Sequence, residues 1–102
     1  MVKLVAIYDK PDDEQEFWDH YENVHAPLTR ELPGLQSLEL LRVTADAFGG
    51  EAPYCLIATM TFADDAAFKT AMRSDENKRL GKDLMSFAKG KVKVLVTKTH
   101  DL

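Results

Sequence analysis

Two segments of this chain alternate apolar residues on both of their faces, and that limits what it can fold into. In MVKLVAIY, Val2, Leu4, Ala6 and Tyr8 fall on one side and Lys3, Val5 and Ile7 on the other. In YCLIATMTF, Tyr54, Leu56, Ala58, Met60 and Phe62 oppose Cys55, Ile57, Thr59 and Thr61. A period-2 pattern that is largely apolar on both sides belongs to a central strand lying between two layers. Both segments are therefore expected at the centre of a sheet, with edge strands outside them.

The segments between and after them supply the rest. Lys10-Pro11-Asp12-Asp13 reads as a turn with an N-cap acid, and a first helix follows from Asp13 to about Val24 with acidic residues in its first turn, where the helix dipole favours them. Its apolar stripe is Phe17, Tyr21, Val24 and Leu28, with Trp18 and His25 seven apart along one edge. Pro27 disfavours helical geometry at Ala26, so the helix is expected to end or kink just after His25. A last turn then runs towards Leu32, before Pro33-Gly34 stops it. Residues 35–44 read as a second strand whose apolar parity shifts from Leu38 and Leu40 to Leu41 and Val43, which predicts a bulge or bend. Gly49-Gly50 suits a turn before the third strand. Asp64 and Ser74 are expected to cap two further helices, one facing inward through Ala67, Phe68, Ala71 and Met72, the other through Leu80, Leu84, Phe87 and Ala88. Gly90 ends the second. The final strand sets Val92, Val94 and Val96 against Lys91 and Lys93, as a guarded edge strand does.

The order βαββαβ with right-handed crossovers gives an α+β, ferredoxin-like domain over residues 1–102: a four-stranded antiparallel sheet, strands one and three central, helices on one face. The other face would be bare and apolar beyond what a soluble monomer tolerates, so a homodimer formed face to face is expected. At 102 residues one core is close to the lower limit of independent stability, which a second copy relieves.

Composition narrows the function. The net charge of −4 and pI near 5.3, with thirteen scattered basic residues, argue against nucleic acid, since tracking phosphates needs clustered Lys and Arg. No apolar run reaches the ~20 residues of a membrane span, and no signal-peptide pattern precedes the first strand; a cytoplasmic protein is the expectation. Cys55, the single cysteine, sits in an apolar strand and reads as a small hydrophobe.

At the residue level, PDDEQEFWDHYENVHAPL, with Phe17, Tyr21, Val24, His25, Pro27 and Leu28 in register, followed by LPGL at 32–35, resembles the EthD family of dimeric α+β barrel proteins. YCLIATMTFADDAAFKTAM, the Ser74-Asp75-Glu76 helix start, Asp83 and Phe87 extend the resemblance over essentially the whole chain. It implies a homodimer whose two sheets close a barrel, in a superfamily of cofactor-free monooxygenases, lactone isomerases, aromatic cyclases and some haem proteins. The family is named for ethyl tert-butyl ether degradation, in which its member is usually described as auxiliary. His20 departs from the motif, where an aromatic residue is more usual.

His25 occupies the motif histidine's position. A helix C-terminus favours its protonated form and burial opposes it, so it suits acid or base work on a phenol, lactone or enol; the alternative is that it caps the broken helix by bonding a backbone carbonyl. His20 lies five residues earlier, ~140° around an ideal helix, and is expected on the solvated surface, apart from His25. His100 reads as frayed tail. Tyr8, Tyr21 and Tyr54 suit hydrogen bonding to a ligand in an apolar cavity, Tyr21 first among them, or else are core; Trp18 suits the pocket or a dimer interface. Asp83 follows Arg79 by four residues, the spacing of a surface ion pair. No metal motif and no nucleotide-binding glycine pattern is present, so no cofactor is expected. These residues point to a small hydrophobic, aromatic or lactone-like ligand handled by a cofactor-independent oxidoreductase, monooxygenase or isomerase. A non-catalytic carrier or auxiliary protein is the alternative, and a purely structural dimer with a filled barrel ranks last.

Overall fold

The computed structural model describes residues 1–102. Strand β1 (Val2–Asp9) leads to helix α1 (Glu14–His20), which runs without a break through a π turn (Tyr21–His25) into α2 (Ala26–Arg30). Strands β2 (Ser37–Arg42) and β3 (Tyr54–Phe62), helices α3 (Asp65–Met72) and α4 (Asp75–Ala88), and strand β4 (Val92–Lys98) complete the chain. The sheet order is β2-β3-β1-β4 and all neighbours are antiparallel. The two segments that are apolar on both faces are thus the central strands. This is the ferredoxin-like α+β arrangement expected from the element order.

The helices start where short polar side chains replace the missing backbone acceptors. Asp13 accepts from the Glu16 amide at 3.0 Å, Asp64 from the Ala67 amide at 2.8 Å, and Ser74 Oγ from the Asn77 amide at 3.1 Å. Gly34, with φ of 77°, lets the chain leave α2 and turn into β2 in a conformation that L side chains resist.

The core lies between the helices and one face of the sheet. Ala6 and Tyr8 of β1 and Leu56, Ala58, Met60 and Phe62 of β3 meet Phe17, Tyr21, Ala26, Ala71, Leu80 and Ala88 from the helices. On the opposite face, Leu41, Ile57 and Ile7 stand in one row across β2, β3 and β1, and Leu95 pairs with Val5 beside them. Leu41 and Leu95 are 46% and 50% exposed, so this face carries apolar surface that the chain itself does not cover.

Several expectations are corrected. The bulge predicted in the second strand is absent: Ser37–Arg42 pair with Thr61–Leu56 in unbroken register. The parity shift from Leu40 to Leu41 simply gives an edge strand an apolar residue on each face. The bulge lies in the central pair instead, where Tyr8 faces Leu56 but Asp9 faces Tyr54, leaving Cys55 unpaired in the register. That extra residue turns Tyr54 away from the face shared by Tyr8 and Leu56. The helix does not break after His25. Ala26 keeps helical angles, its amide reaching back five residues to the Tyr21 carbonyl, and Pro27 falls in the first turn of α2, where a missing N–H is tolerated.

The π turn also shifts the buried stripe by one residue. Val24, expected inside, is 40% exposed, while His25, Ala26, Thr29 and Leu32 are buried. On β4, Val92 packs against the core, but Val94 and Val96, expected on the same face, are 44% and 60% exposed.

Candidate functional site

The π turn decides the chemistry of this helix. In α geometry His20 and His25 point ~140° apart; the added residue of an i→i+5 turn swings His25 back, and both imidazoles converge on one carboxylate of α4. His25 Nδ1 lies 2.8 Å from Asp83 Oδ2, and His20 Nε2 lies 3.0 Å from both Asp83 oxygens. His20 is thus not an isolated surface residue, and Asp83 does not pair with Arg79, as its spacing had suggested.

Burial disfavours the charged form of His25 and holds its pKa below the ordinary 6.5, although the bond to Asp83 pulls the other way. Burial likewise opposes ionisation of Asp83, but the hydrogen bonds from His25 and His20 outweigh it and keep the carboxyl below its ordinary value. At neutral pH the pair is therefore carboxylate and neutral imidazole. An ionised Asp83 only accepts, so His25 carries its proton on Nδ1, and Nε2 is left with a lone pair. That lone pair faces the Tyr8 hydroxyl across a long 3.5 Å contact, with Tyr8 as donor. The result is a chain of groups, Asp83–His25–Tyr8, with no side-chain nitrogen or oxygen buried and unpartnered. His25 bonds no backbone carbonyl through its ring, so the capping alternative does not hold; its own carbonyl accepts from Thr29 Oγ1 at 3.0 Å.

Aromatic rings enclose the chain. Tyr8 meets Phe17 and Tyr21 edge-on, with centroids 5.5 and 5.6 Å apart, and stacks on Phe87 at 6.1 Å. Phe87 also touches both histidines, at 4.6 Å from His20 and 5.0 Å from His25. Burial raises the Tyr8 phenol far above its ordinary pKa and pushes Tyr21 up to about 12, so both remain hydrogen-bond donors across the physiological range. Trp18 is half-buried beside Phe17 and Tyr21, with the Arg42 guanidinium 4.4 Å from its ring centroid. Tyr54 is not part of this cluster. The bulge puts it on the other side of the sheet, where Lys93 lies 5.3 Å from its ring and 3.7 Å from Asp9. Cys55 is buried as expected, and burial pushes its thiol up to about 11, too high for a thiolate at neutral pH.

Of the anticipated site residues, Tyr8, Tyr21, His25 and, at the margin, Trp18 come together, and Tyr54 does not. They are packed against one another, and His25 is only 4% exposed, so no open cavity faces it. A cleft of about 580 Å3 opens instead between α1 and the end of α4, where it reaches Phe17, His20 and Phe87. Asp83 and His20 are the members that spacing rules missed, while Phe87, expected on the inward face of α4, stands there against both histidines. The signal for them was present: two histidines five apart, just before a proline that the helix must accommodate, match the reach of a π turn. No helix is long and apolar enough to cross a membrane.

Comparison with known proteins places this geometry. The chain is 28% identical over 98 residues, 95% of its length and 93% of the relative's, to an uncharacterised 11.0 kDa protein from the thcB-thcC intergenic region of Rhodococcus erythropolis. It matches the crystal structure of an ethyl tert-butyl ether degradation (EthD) family protein from Bacillus halodurans C-125 with a TM-score of 0.93 and 40% identity, over 98% of this chain and 99% of that one. Two more distant structures share the fold. SnoaB, a cofactor-independent oxygenase from Streptomyces nogalater, has a TM-score of 0.72 at 16% identity, over 99% and 94% of the two chains. A dimeric ferredoxin-like protein of unknown function from Jannaschia sp. CCS1 has 0.65 at 19%, over 96% and 97%. The EthD domain model matches residues 10–91, a span that holds both histidines, the π turn and Asp83; the chain belongs to the EthD family.

Proposed function

We propose that this EthD-family protein, with residues 1–102 as its one domain, acts as a homodimer that binds a small hydrophobic metabolite, aromatic or lactone-like. On that ligand it performs cofactor-independent acid–base chemistry, as an isomerase or as a monooxygenase using dioxygen as oxidant. One observation carries the reading: a neutral imidazole, His25, is held by an ionised carboxylate on one nitrogen and presents a lone pair at the other. That is the arrangement of a general base whose tautomer is fixed by its orienting partner. A proton taken from a substrate O–H or acidic C–H at Nε2 would leave an imidazolium stabilised by Asp83. Tyr8 and Tyr21, kept protonated by burial, would hydrogen-bond the resulting oxyanion, and Trp18 would supply an apolar wall.

Such a step requires Tyr8 to give up its contact to Nε2 and the aromatic packing to open. The closure around His25 therefore favours a second reading, in which the protein carries a ligand for another enzyme and catalyses nothing. Thermal-shift screening of phenols, aromatic acids and lactones, followed by product analysis, separates the two. In the catalytic case a stabilising ligand is converted, and His25→Ala lowers turnover by about 10²–10⁴-fold. Stabilisation of the wild type with no product formed decides for the carrier.

A further inference from the structure

The cleft between α1 and the end of α4 has the make-up of a binding site of its own. Its volume, about 580 Å3, is in the range of small-molecule pockets. Phe17 and Phe87, buried and half-buried, form an aromatic base, and His20 stands against Phe87 with ring centroids 4.6 Å apart. His20 gives its Nε2 proton to Asp83, and its other ring nitrogen, Nδ1, makes no hydrogen bond within the chain. In a neutral imidazole with its proton on Nε2, Nδ1 is an acceptor, and this side chain is 29% exposed. The site thus presents a flat apolar surface with one acceptor at its edge.

Charge selects the ligand further. The cleft is bordered by Asp12, Asp13 and Glu16 against Lys89 and Lys91. Lys91 is matched by Asp12 at 3.8 Å, and the Asp13 carboxylate is committed to capping α1. Behind His20 stands the ionised Asp83. Negative charge is therefore in excess, which disfavours an anionic ligand.

We propose that this cleft binds a small, neutral aromatic hydroxyl compound, a phenol or enol, with its ring on Phe17 and Phe87 and its hydroxyl donating to His20 Nδ1. The site is separate from the place beside His25 where the reading above puts its chemistry, and it goes beyond that reading. His20 supplies recognition there, and Asp83 orients His20 as it orients His25.

The test is titration of the full-length protein with 2-naphthol, 2-naphthoate and naphthalene, followed by NMR of the imidazole nitrogens. Saturable binding of 2-naphthol is expected, with a shift at His20 Nδ1 and none at His25, and with several-fold weaker binding of 2-naphthoate. His20→Phe, which keeps a ring on Phe87, removes the preference for naphthol over naphthalene, a change of about two- to tenfold, the worth of one hydrogen bond. Glu16→Lys, on the exposed border of the cleft, strengthens 2-naphthoate binding by about threefold in low salt. Equal affinity for naphthol and naphthoate, a shift at His25 or Tyr54 in place of His20, or no saturable binding overturns the proposal. Binding of 2-naphthol at His20 by a protein that converts no substrate would sustain this site and end the catalytic reading. Turnover without any shift at His20 would do the reverse.

Discussion

Asp83 ties two histidines of one helix to another helix, and this makes the molecule sensitive to acid. Burial holds the folded-state pKa of His25 below 6.5, so beneath that value the unfolded chain takes up the proton first. The stability that His25 contributes is complete above about pH 6.5 and declines as the pH falls towards its depressed folded value. Asp83, also held below its ordinary value, adds a loss in the same direction beneath about pH 4. The thermal midpoint should therefore fall between pH 7 and pH 5, and His25→Gln should flatten that part of the profile; a wild-type midpoint constant over this window would contradict the burial argument. The residue type at position 25 made the histidine legible as a chemical group. Its partners were not, because helical angles counted at 100° per residue separate His20 from His25 and leave Asp83 with Arg79 as its nearest candidate.

At the scale of elements, the caps, the two central strands, the edge position of β4 and the inward faces of α3 and α4 follow from the sequence, since each depends on local side-chain chemistry or on plain periodicity. Errors fell where one residue was added to a regular element: the π turn in the first helix and the bulge at Cys55. No periodicity rule marks such an insertion, because tertiary packing decides whether the helix or strand absorbs it. Here Tyr21 is anchored in the aromatic cluster and His25 on Asp83, and these fixed points hold the turn open. Pro27, exposed and already in helical geometry, contributes mainly by restricting the unfolded chain. Pro27→Ala should cost about 0.4–1 kcal/mol in chemical denaturation and leave the His25–Asp83 bond visible by NMR. Loss of that bond in Pro27→Ala would show that the proline, and not the packing, maintains the turn.

For the whole molecule the uncovered face of the sheet is the governing feature. Ile57 sits at the centre of the row running from Leu41 to Ile7 and is half-buried within one chain. In the proposed homodimer it lies in the interface. Light scattering during size-exclusion chromatography should give about twice the chain mass of 11.5 kDa at micromolar concentration, and Ile57→Lys should give the monomer mass with the secondary structure kept. A wild type that elutes as a monomer would leave this face without its proposed partner.

The π turn carries one more consequence, for how the chain is compared with others. The meeting of His20 and His25 depends on a count as well as on residue identity: five positions apart, with the surplus residue taken up inside the helix. A homologous chain with both histidines but a regular helix between them would carry them on different sides, one on Asp83 and the other in solvent. A chain lacking one residue in this stretch would carry them four apart on a regular helix, on one side, and would reach a shared carboxylate without a π turn. The functional signature of this helix is therefore a spacing read together with the helix type, five positions with the π turn or four without it.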